Sequence, residues 1–347
     1  MKSTNSNYNR PLSRFKKGKI TCPVCGNTHQ WHCAVTEDGS LALCKYNYSD
    51  KQAIDGRYIH HLIDDLNQPH KQTTNSTPAI REYGTVAIKR ADADHINIVY
   101  RTFLEHPILV DSEGIRPPLS QAHADHLLNE RGFSDTAIAA NLYTTVPDLK
   151  TLRAICDDLA GSLELKGVPG FFTHNGRWRL RYYGEGYFVP YRDAQGRIVG
   201  MQVRLDEGDT RYRWLSSADK PDGITSGAPY HFAKPDLVRQ SGFAFITEGA
   251  LKADRIAEFT DKACIGLAGV DSFKETFGHE LREALPNLQA VNIAYDIDWQ
   301  KKPEVRKALA RLWQTLMAAD LTANAREWDE AKGKGFDDFL FQLERND

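Results

Sequence analysis

FAFITEGALKAD, residues 243–254, opens as a short apolar run and turns helical after a glycine, and AVNIAYDID, residues 290–298, is a second such run that closes on two aspartates. Between them, KACIGLAGV at 262–270 reads as a third strand with its loop. Short apolar runs alternating with helical segments predict a parallel α/β sheet, because a strand buried on both faces has no polar side to show. Pro303 suits the first turn of the next helix, where Val305, Ala308, Leu309, Leu312 and Leu316 make one apolar stripe. Ligands of such sheets are expected at the carboxyl ends of the strands.

Those ends are acidic. Glu248 follows the first strand directly, before Gly249, which permits a tight turn and a close approach of backbone to ligand. Asp296 and Asp298 follow the later strand at i and i+2, and Asp337 and Asp338 form a third pair in GKGFDDFL. Each acid has an ordinary structural reading. Glu248 could cap the helix after it, Asp298 the helix at Pro303, and Asp337 or Asp338 could stand in a solvated first turn. Taken together at successive strand ends, they predict a site where Mg²⁺ or Mn²⁺ relieves the repulsion between carboxylates. Two such ions about 4 Å apart would serve phosphoryl transfer.

Towards the N-terminus, CPVCGNTHQWHCAVTEDGSLALC carries four of the six cysteines at C-x2-C-x7-C-x10-C spacing. This is the tight first pair and distant second pair of a zinc ribbon, expected to use Cys22, Cys25, Cys33 and Cys44, with His29 or His32 as an alternative to Cys33. A segment so poor in apolar residues needs the metal to fold. A closed four-ligand site is structural, so the ribbon is expected to recognise something, with Trp31 and Tyr46 contributing. Cys156 and Cys264 read as lone buried thiols, and the compartment as a reducing one.

Residues 64–84 are rich in Asn, Gln, Ser, Thr and Pro and read as a linker. Residues 120–142 predict a helical pair broken at Gly132, the second member capped by Ser134. GYFVPYRDAQGRIVGMQVRL predicts a hairpin turning at 193–196.

Lys and Arg total 44 against 46 Asp and Glu, a formal charge of −2 over 347 residues. The balance is a cancellation: residues 1–20 hold six basic and no acidic side chains, 171–220 hold eight Arg and one Lys against six acids, and 242–347 hold 14 basic and 19 acidic. Basic segments ahead of an acidic end suit an enzyme that grips a polyanion and coordinates metal cations. No run approaches the roughly 18 apolar residues of a membrane helix, and Met1–Lys19 lacks a signal-peptide core, so a cytoplasmic protein without membrane contact is expected. The absence of a G-x-x-x-x-G-K-[ST] loop excludes a P-loop motor.

The EG at 248–249, the D-x-D at 296–298 and the terminal acidic motif resemble those of Toprim domains, which bacterial DnaG-type primases, topoisomerases, RecR proteins and OLD-type nucleases share. YFVPYRDAQGRIVGMQVRLD, followed by RYRWLSS and SGAPYHF, is similar to the basic subdomain of DnaG-type primases, with Arg204 and Arg213 at the matching basic positions. HLLNERGFSDTAI resembles the helical opening of that core. GVPGF, WLSS, ITEGALKAD, AYDID and WDEAKGKGFDDFL are most similar to primase-like Toprim proteins of phages, plasmids and integrative elements. Two departures stand out: Lys252 replaces the family's Asp four residues after the motif Glu, and Gly335-Phe336-Asp337 replaces D-P-D.

The resemblance implies an α/β chain with a zinc ribbon and basic arm (1–63), a linker (64–96), a basic α+β core (97–241) and a Toprim domain (242–347). It implies a DNA primase making short RNA primers on single-stranded DNA, with nucleoside triphosphates as substrates and a replicative helicase acting in trans. Glu248, Asp296 and Asp298 would be catalytic and, with Asp337 and Asp338, hold Mg²⁺ or Mn²⁺, while zinc is structural. Arg177, Arg179, Arg181, Arg192, Arg204, Arg211, Arg213 and Lys252 would contact template or nucleotide, with Trp178, Tyr182, Tyr183 and Trp214 offering stacking faces or packing into the core. A Toprim nuclease, or a catalytically weak DNA-binding accessory of replication, is the alternative.

Overall fold

The computed structural model describes residues 20–23, 28–29, 33–37, 41–44, 58–61, 88–109, 119–208 and 210–346. The basic arm, Cys25, Trp31, His32, Tyr46 and the linker at 64–84 lie outside them. The chain divides into two units, 1–86 and 87–347.

In the first unit β1 (Ile20–Thr21) pairs antiparallel with β2 (Thr28–His29). A second antiparallel sheet joins β3 (Cys33–Val35), β4 (Leu41–Cys44) and β5 (Tyr58–His61). Cys33 and Cys44 are directly opposite each other across β3 and β4. Among the described residues the buried cluster here is made of Cys22, Cys33 and Cys44.

The second unit begins with α1 (Ala93–Leu104), capped by Asp92, whose carboxylate accepts from the His95 N–H at 2.8 Å. The expected helical pair is present: α2 (Gln121–Asp125) runs on through a π-helical turn at 126–130, and α3 (Asp135–Asn141) is capped by the Ser134 hydroxyl. Then follow β6 (Thr144–Thr145), α4 (Leu149–Ser162) and a small hairpin, β7 (Phe171–His174) and β8 (Arg177–Leu180). The expected long hairpin is β9 (Gly186–Arg192) and β10 (Ile198–Leu205), turning at 193–196 where Gly196 N–H donates to the Asp193 carbonyl. With β11 (Tyr212–Trp214) they form an antiparallel sheet of order β11-β10-β9-β6. One face of this sheet buries Phe188, Met201 and Val203 against α1 and α4.

After β12 (His231–Ala233) and the short α5 (Val238–Ser241), the chain alternates β13 (Phe243–Glu248), α6 (Ala250–Thr260), β14 (Ala263–Leu267), α7 (Phe277–Ala284), β15 (Ala290–Ile293), α8 (Pro303–Met317), β16 (Thr322–Ala325) and α9 (Phe336–Asn346). The sheet order is β12-β14-β13-β15-β16, with β13 to β16 parallel and β12 antiparallel at the edge. The α8 stripe packs as expected, with Ala308, Leu309, Leu312 and Leu316 buried. The two edge strands escape sequence reading for a physical reason. The half-exposed Thr-Ala-Asn-Ala needs no apolar run, and the buried His-Phe-Ala is only three residues long, too short to show one.

A third cluster joins the four-stranded and five-stranded sheets of this unit. Leu127, Phe133, Ile138, Tyr143, Tyr187, Val189 and Tyr191 pack on Ala250 and Leu251 in the first turn of α6. The strand end carrying Glu248 is thereby held against the antiparallel sheet. Cys156 and Cys264 are fully buried, as expected, and burial pushes the Cys156 thiol up to about 12. Among the described residues no helix is long and apolar enough to cross a membrane.

Candidate functional site

The parallel strands deliver their acids to one end of the sheet. Gly249 takes φ +82°, which L side chains rarely adopt, and this bend turns the chain from Glu248 into α6. Neither Glu248 nor Asp298 serves as a cap. The residue before α6 is Gly249 and the one before α8 is Lys302, and neither helix has a side-chain cap. Asp338 does take the structural role, since its Oδ2 accepts from the Gly335 N–H at 3.3 Å ahead of α9. The Asp296–Asp298 turn is tied to the loop before α9 by the Ile297 N–H, which donates to the Lys334 carbonyl at 3.0 Å.

Lysines fill much of this acidic cluster. Lys252 bonds Asp296 Oδ1, Lys334 lies 3.2 Å from Asp296 Oδ2 and 3.3 Å from Asp298 Oδ2, and Lys302 lies 2.8 Å from Asp298 Oδ2. Arg131, from the turn after α2, pairs with Asp337 and reaches Asp338 at 3.4 Å. Glu248 has no ion pair or side-chain hydrogen bond among the described residues. Burial holds its carboxyl above the ordinary range, with Lys252 opposing and the Asp296 charge adding to the rise. Burial also acts upward on Asp296, but Lys252 and Lys334 outweigh it and hold that carboxyl below the usual range. Asp337 is raised by burial, which Arg131 and Lys252 only partly offset. Lys252 shows the mirror effect: burial works against its charge, yet Asp337 and Asp296 hold the ammonium more firmly protonated than an ordinary lysine.

Whether these residues suit a divalent cation is a question of donors and competitors. The donors are hard carboxylate oxygens, as Mg²⁺ requires. The five acids nevertheless do not bring three ligand atoms within 4.8 Å of one another; among the described residues the group that does is Cys22, Cys33 and Cys44. Glu248, unpaired among the described residues, and Asp298, held by the exposed Lys302 and Lys334, are the acids least occupied by a protein cation.

An open cavity of about 200 Å³ adjoins the acids, lined by Gln202, Tyr212, Glu248, Gly249, Leu251, Lys252 and Ala268. Strand register decides which basic residues reach it. Arg204 is opposite Tyr212 and Gln202 is opposite Trp214, so these four share a face, while Arg213 is opposite Val203 on the other. Arg204 lies over the Tyr187 ring at 5.5 Å, and Arg213 lies over Tyr183 at 5.5 Å. The two arginines expected to act together are thus on opposite faces.

Most of the remaining arginines are engaged by the fold. Arg179 pairs with Asp157 at 2.9 Å, with Arg177 at 3.9 Å from the same residue, and Arg181 pairs with Asp219 at 3.1 Å. Arg192 donates to the Ala140 carbonyl at 3.1 Å and Arg211 to that of Asp206. Trp178, Tyr182, Tyr183 and Trp214 each pack one side on a core cluster and are partly buried. Tyr212, at 41% exposed, is the open aromatic at the cavity and was not singled out by sequence, since strand pairing alone puts it there. Lys334 did carry a signal, a lysine flanked by glycines in GKG.

His126 lies beside this region, its Nδ1 3.4 Å from the Tyr187 hydroxyl. Burial, then the charges of Arg204 and Arg131, lower it to about 4. A proton-NMR titration is expected to find His126 neutral at pH 6 and charging near pH 4. Because an unfolded histidine binds its proton near 6.5, stability should fall as pH drops from 6.5 towards 4. An ordinary midpoint near 6.5 would contradict this environment.

In the first unit Cys22, Cys33 and Cys44 are buried, with Cys33 and Cys44 sulfurs 3.8 Å apart. Zinc–sulfur bonds of about 2.3 Å in a tetrahedron set the sulfurs roughly 3.8 Å apart, so the trio can bind zinc. The expected fourth ligand, Cys25, is outside the described residues, as is His32; His29 is in β2. Cys33→Ser, or chelation, is expected to remove about one equivalent of zinc and melt this unit, because such ions supply about 10 kcal/mol or more of folding free energy. Metal analysis and circular dichroism check it, and an unchanged melt after chelation would count against a structural ion.

Residues 238–346 match a family model described as a domain of unknown function, DUF3854. No curated protein matches the sequence. The fold is similar to the zinc-binding and RNA polymerase domains of the Aquifex aeolicus primase, with TM-score 0.53 and 15% identity over 96% of this chain and 79% of that one. It is also similar to the RNA polymerase domain of Mycobacterium tuberculosis primase DnaG, with TM-score 0.50 and 15% identity over 72% of this chain and 81% of that one. A DnaG primase catalytic domain bound to single-stranded DNA matches with TM-score 0.47 and 16% identity over 73% and 78%. The Cys cluster, central antiparallel sheet and mostly parallel, Toprim-like C-terminal sheet therefore make up a primase-like mixed α/β fold.

Proposed function

We propose that this chain is a Toprim-type DNA primase, a nucleotidyltransferase that makes short RNA primers on single-stranded DNA. The observation that carries the reading is the cavity where Glu248, Gly249 and Lys252 at a strand end meet Gln202 and Tyr212 of the antiparallel sheet. A primase-like fold supports it. In this reading 1–63 is a basic arm and zinc ribbon that helps select template, the linker expected over 64–96 gives way by residue 87 to the template-holding core, because α1 already packs in it, and that core runs to 241 with 242–347 as the catalytic domain.

Glu248, Asp296 and Asp298 would hold Mg²⁺ or Mn²⁺, which when bound favours the deprotonated primer 3′-hydroxyl and neutralises nucleotide phosphates. The chain's own groups do the positioning. Tyr212 offers a face on which a base can stack. Arg204, on the same strand face, supplies a cation for a backbone phosphate. Lys302 and Lys334, 45% and 58% exposed, are free to turn from carboxylate to triphosphate as the nucleotide enters. The transfer step then needs little beyond alignment and charge stabilisation. A helicase would act in trans.

The nuclease alternative uses the same acids to hydrolyse phosphodiesters. Incubating the purified chain and Mg²⁺ with single-stranded or supercoiled DNA separates the two. The proposal expects nucleotide-dependent products and intact DNA, and nicking that needs no nucleotide would replace it with the nuclease reading.

A further inference from the structure

Lys252 stands four residues after Glu248 in the first turns of α6, with its side chain 23% exposed. Its ammonium bonds Asp296. A Cβ on Gly335 would come 2.4 Å from Asp337 Oδ1, 3.2 Å from Asp338 Oδ2 and 3.4 Å from Lys252 Nζ. The ammonium and these oxygens therefore border one small space that only glycine at 335 leaves open. Asp337 is 2% exposed, and among the described residues its Oδ1 is buried without a hydrogen-bond partner. A buried carboxylate oxygen in that state needs positive charge nearby, which Arg131, paired through the other oxygen, and Lys252 together supply.

The charges limit what else can enter. Five carboxylates (Glu248, Asp296, Asp298, Asp337 and Asp338) face four cations (Lys252, Lys302, Lys334 and Arg131), which leaves one negative charge unbalanced. One divalent ion would turn the cluster to one positive charge, and a second to three. The lysines also differ in kind. Lys334 reaches two carboxylates from a half-exposed position and can swing away on its flexible stem, whereas Lys252 is 23% exposed and is held by its bond to Asp296 and the charge of Asp337.

We infer that Lys252 permanently occupies the place of one of two catalytic cations, so that the site takes a single Mg²⁺ or Mn²⁺ on its Glu248–Asp298 side. The inference rests on the functional reading above for the identity of the site, but it is tested by counting ions and needs no catalysis.

The experiment is an electron paramagnetic resonance titration of the zinc-loaded full chain with Mn²⁺, with Glu248→Gln as the background. About one ion per chain above background is expected. Lys252→Met releases Asp296 and should raise the count to about two, whereas Lys252→Arg keeps the charge and should leave it at one. Lys334→Met should keep the count at one and tighten binding severalfold, since a competing cation is gone. This last variant keeps the test open if Lys252→Met does not fold. Two ions on the unmodified chain, one on a folded Lys252→Met chain, or unchanged affinity in Lys334→Met would overturn the inference. No ion at all would overturn both it and the functional reading. A count rising from one to two without primer synthesis would sink the reading and leave the inference standing.

Discussion

Primer synthesis by the Asp298→Asn variant is expected to fall about a thousandfold while the fold is kept, since removing one group that stabilises transition-state charge costs on the order of 10² to 10³ in rate. Asp298 is 19% exposed, with Lys302 at 2.8 Å and Lys334 at 3.3 Å as its partners. Asn keeps the shape and loses the charge. Its ion pairs are to exposed lysines and of small energetic weight. Thermal denaturation should therefore move by no more than a degree or two. Glu248→Gln should behave alike, because that carboxylate has no structural bond to lose. A loss of less than tenfold in either variant would mean that the strand-end acids do not carry the chemistry.

Asp254→Asn should instead strike stability. Asp254 is buried in α6, where it accepts from the Tyr143 hydroxyl at 2.6 Å and from His231 Nε2 at 2.9 Å. The His231 tautomer follows from its other nitrogen, which accepts the Arg192 backbone N–H at 3.0 Å, so Nε2 carries the hydrogen. Asn would point an amide donor at one of two donors and leave a buried polar group unmatched. Breaking a buried pair of this kind costs about 3 to 5 kcal/mol, or on the order of 10 °C in melting temperature for a unit of this size.

The same carboxylate sets an acid limit. Burial pushes Asp254 upward, but His231, Arg192 and Tyr143 outweigh it and leave the folded carboxyl below its unfolded value. Its stabilisation is therefore present above about pH 4 and is lost as pH falls through the lower folded value. Urea melts at pH 7 and pH 3 should differ less in Asp254→Asn than in the unmodified chain, and equal differences would show that the network carries no such linkage.

The C-terminal sheet was legible because its inner strands are apolar runs that end on acids, and Glu248, Asp296 and Asp298 do stand at those ends. The long hairpin and the Ser134 cap were legible because local turn and capping chemistry settles them. What was not legible depends on distant partners. Lys252 reads as a basic residue fit for nucleotide until Asp296, 44 positions later, is seen to hold it. Arg204 and Arg213 both read as template contacts until strand register puts them on opposite faces. Tyr212 gains its place at the cavity only from pairing with Arg204. Arg131 reaches Asp337 across 206 positions, a span no local pattern can encode.

The most direct test of the account is incorporation of labelled ribonucleotides on single-stranded DNA by the purified zinc-loaded chain in Mg²⁺, beside an Asp296→Asn, Asp298→Asn double variant. The account predicts short RNA products from the unmodified chain, abolished by chelation of Mg²⁺ and absent from the double variant. Absence of metal-dependent product on every template tried, or equal product from the double variant, would contradict it.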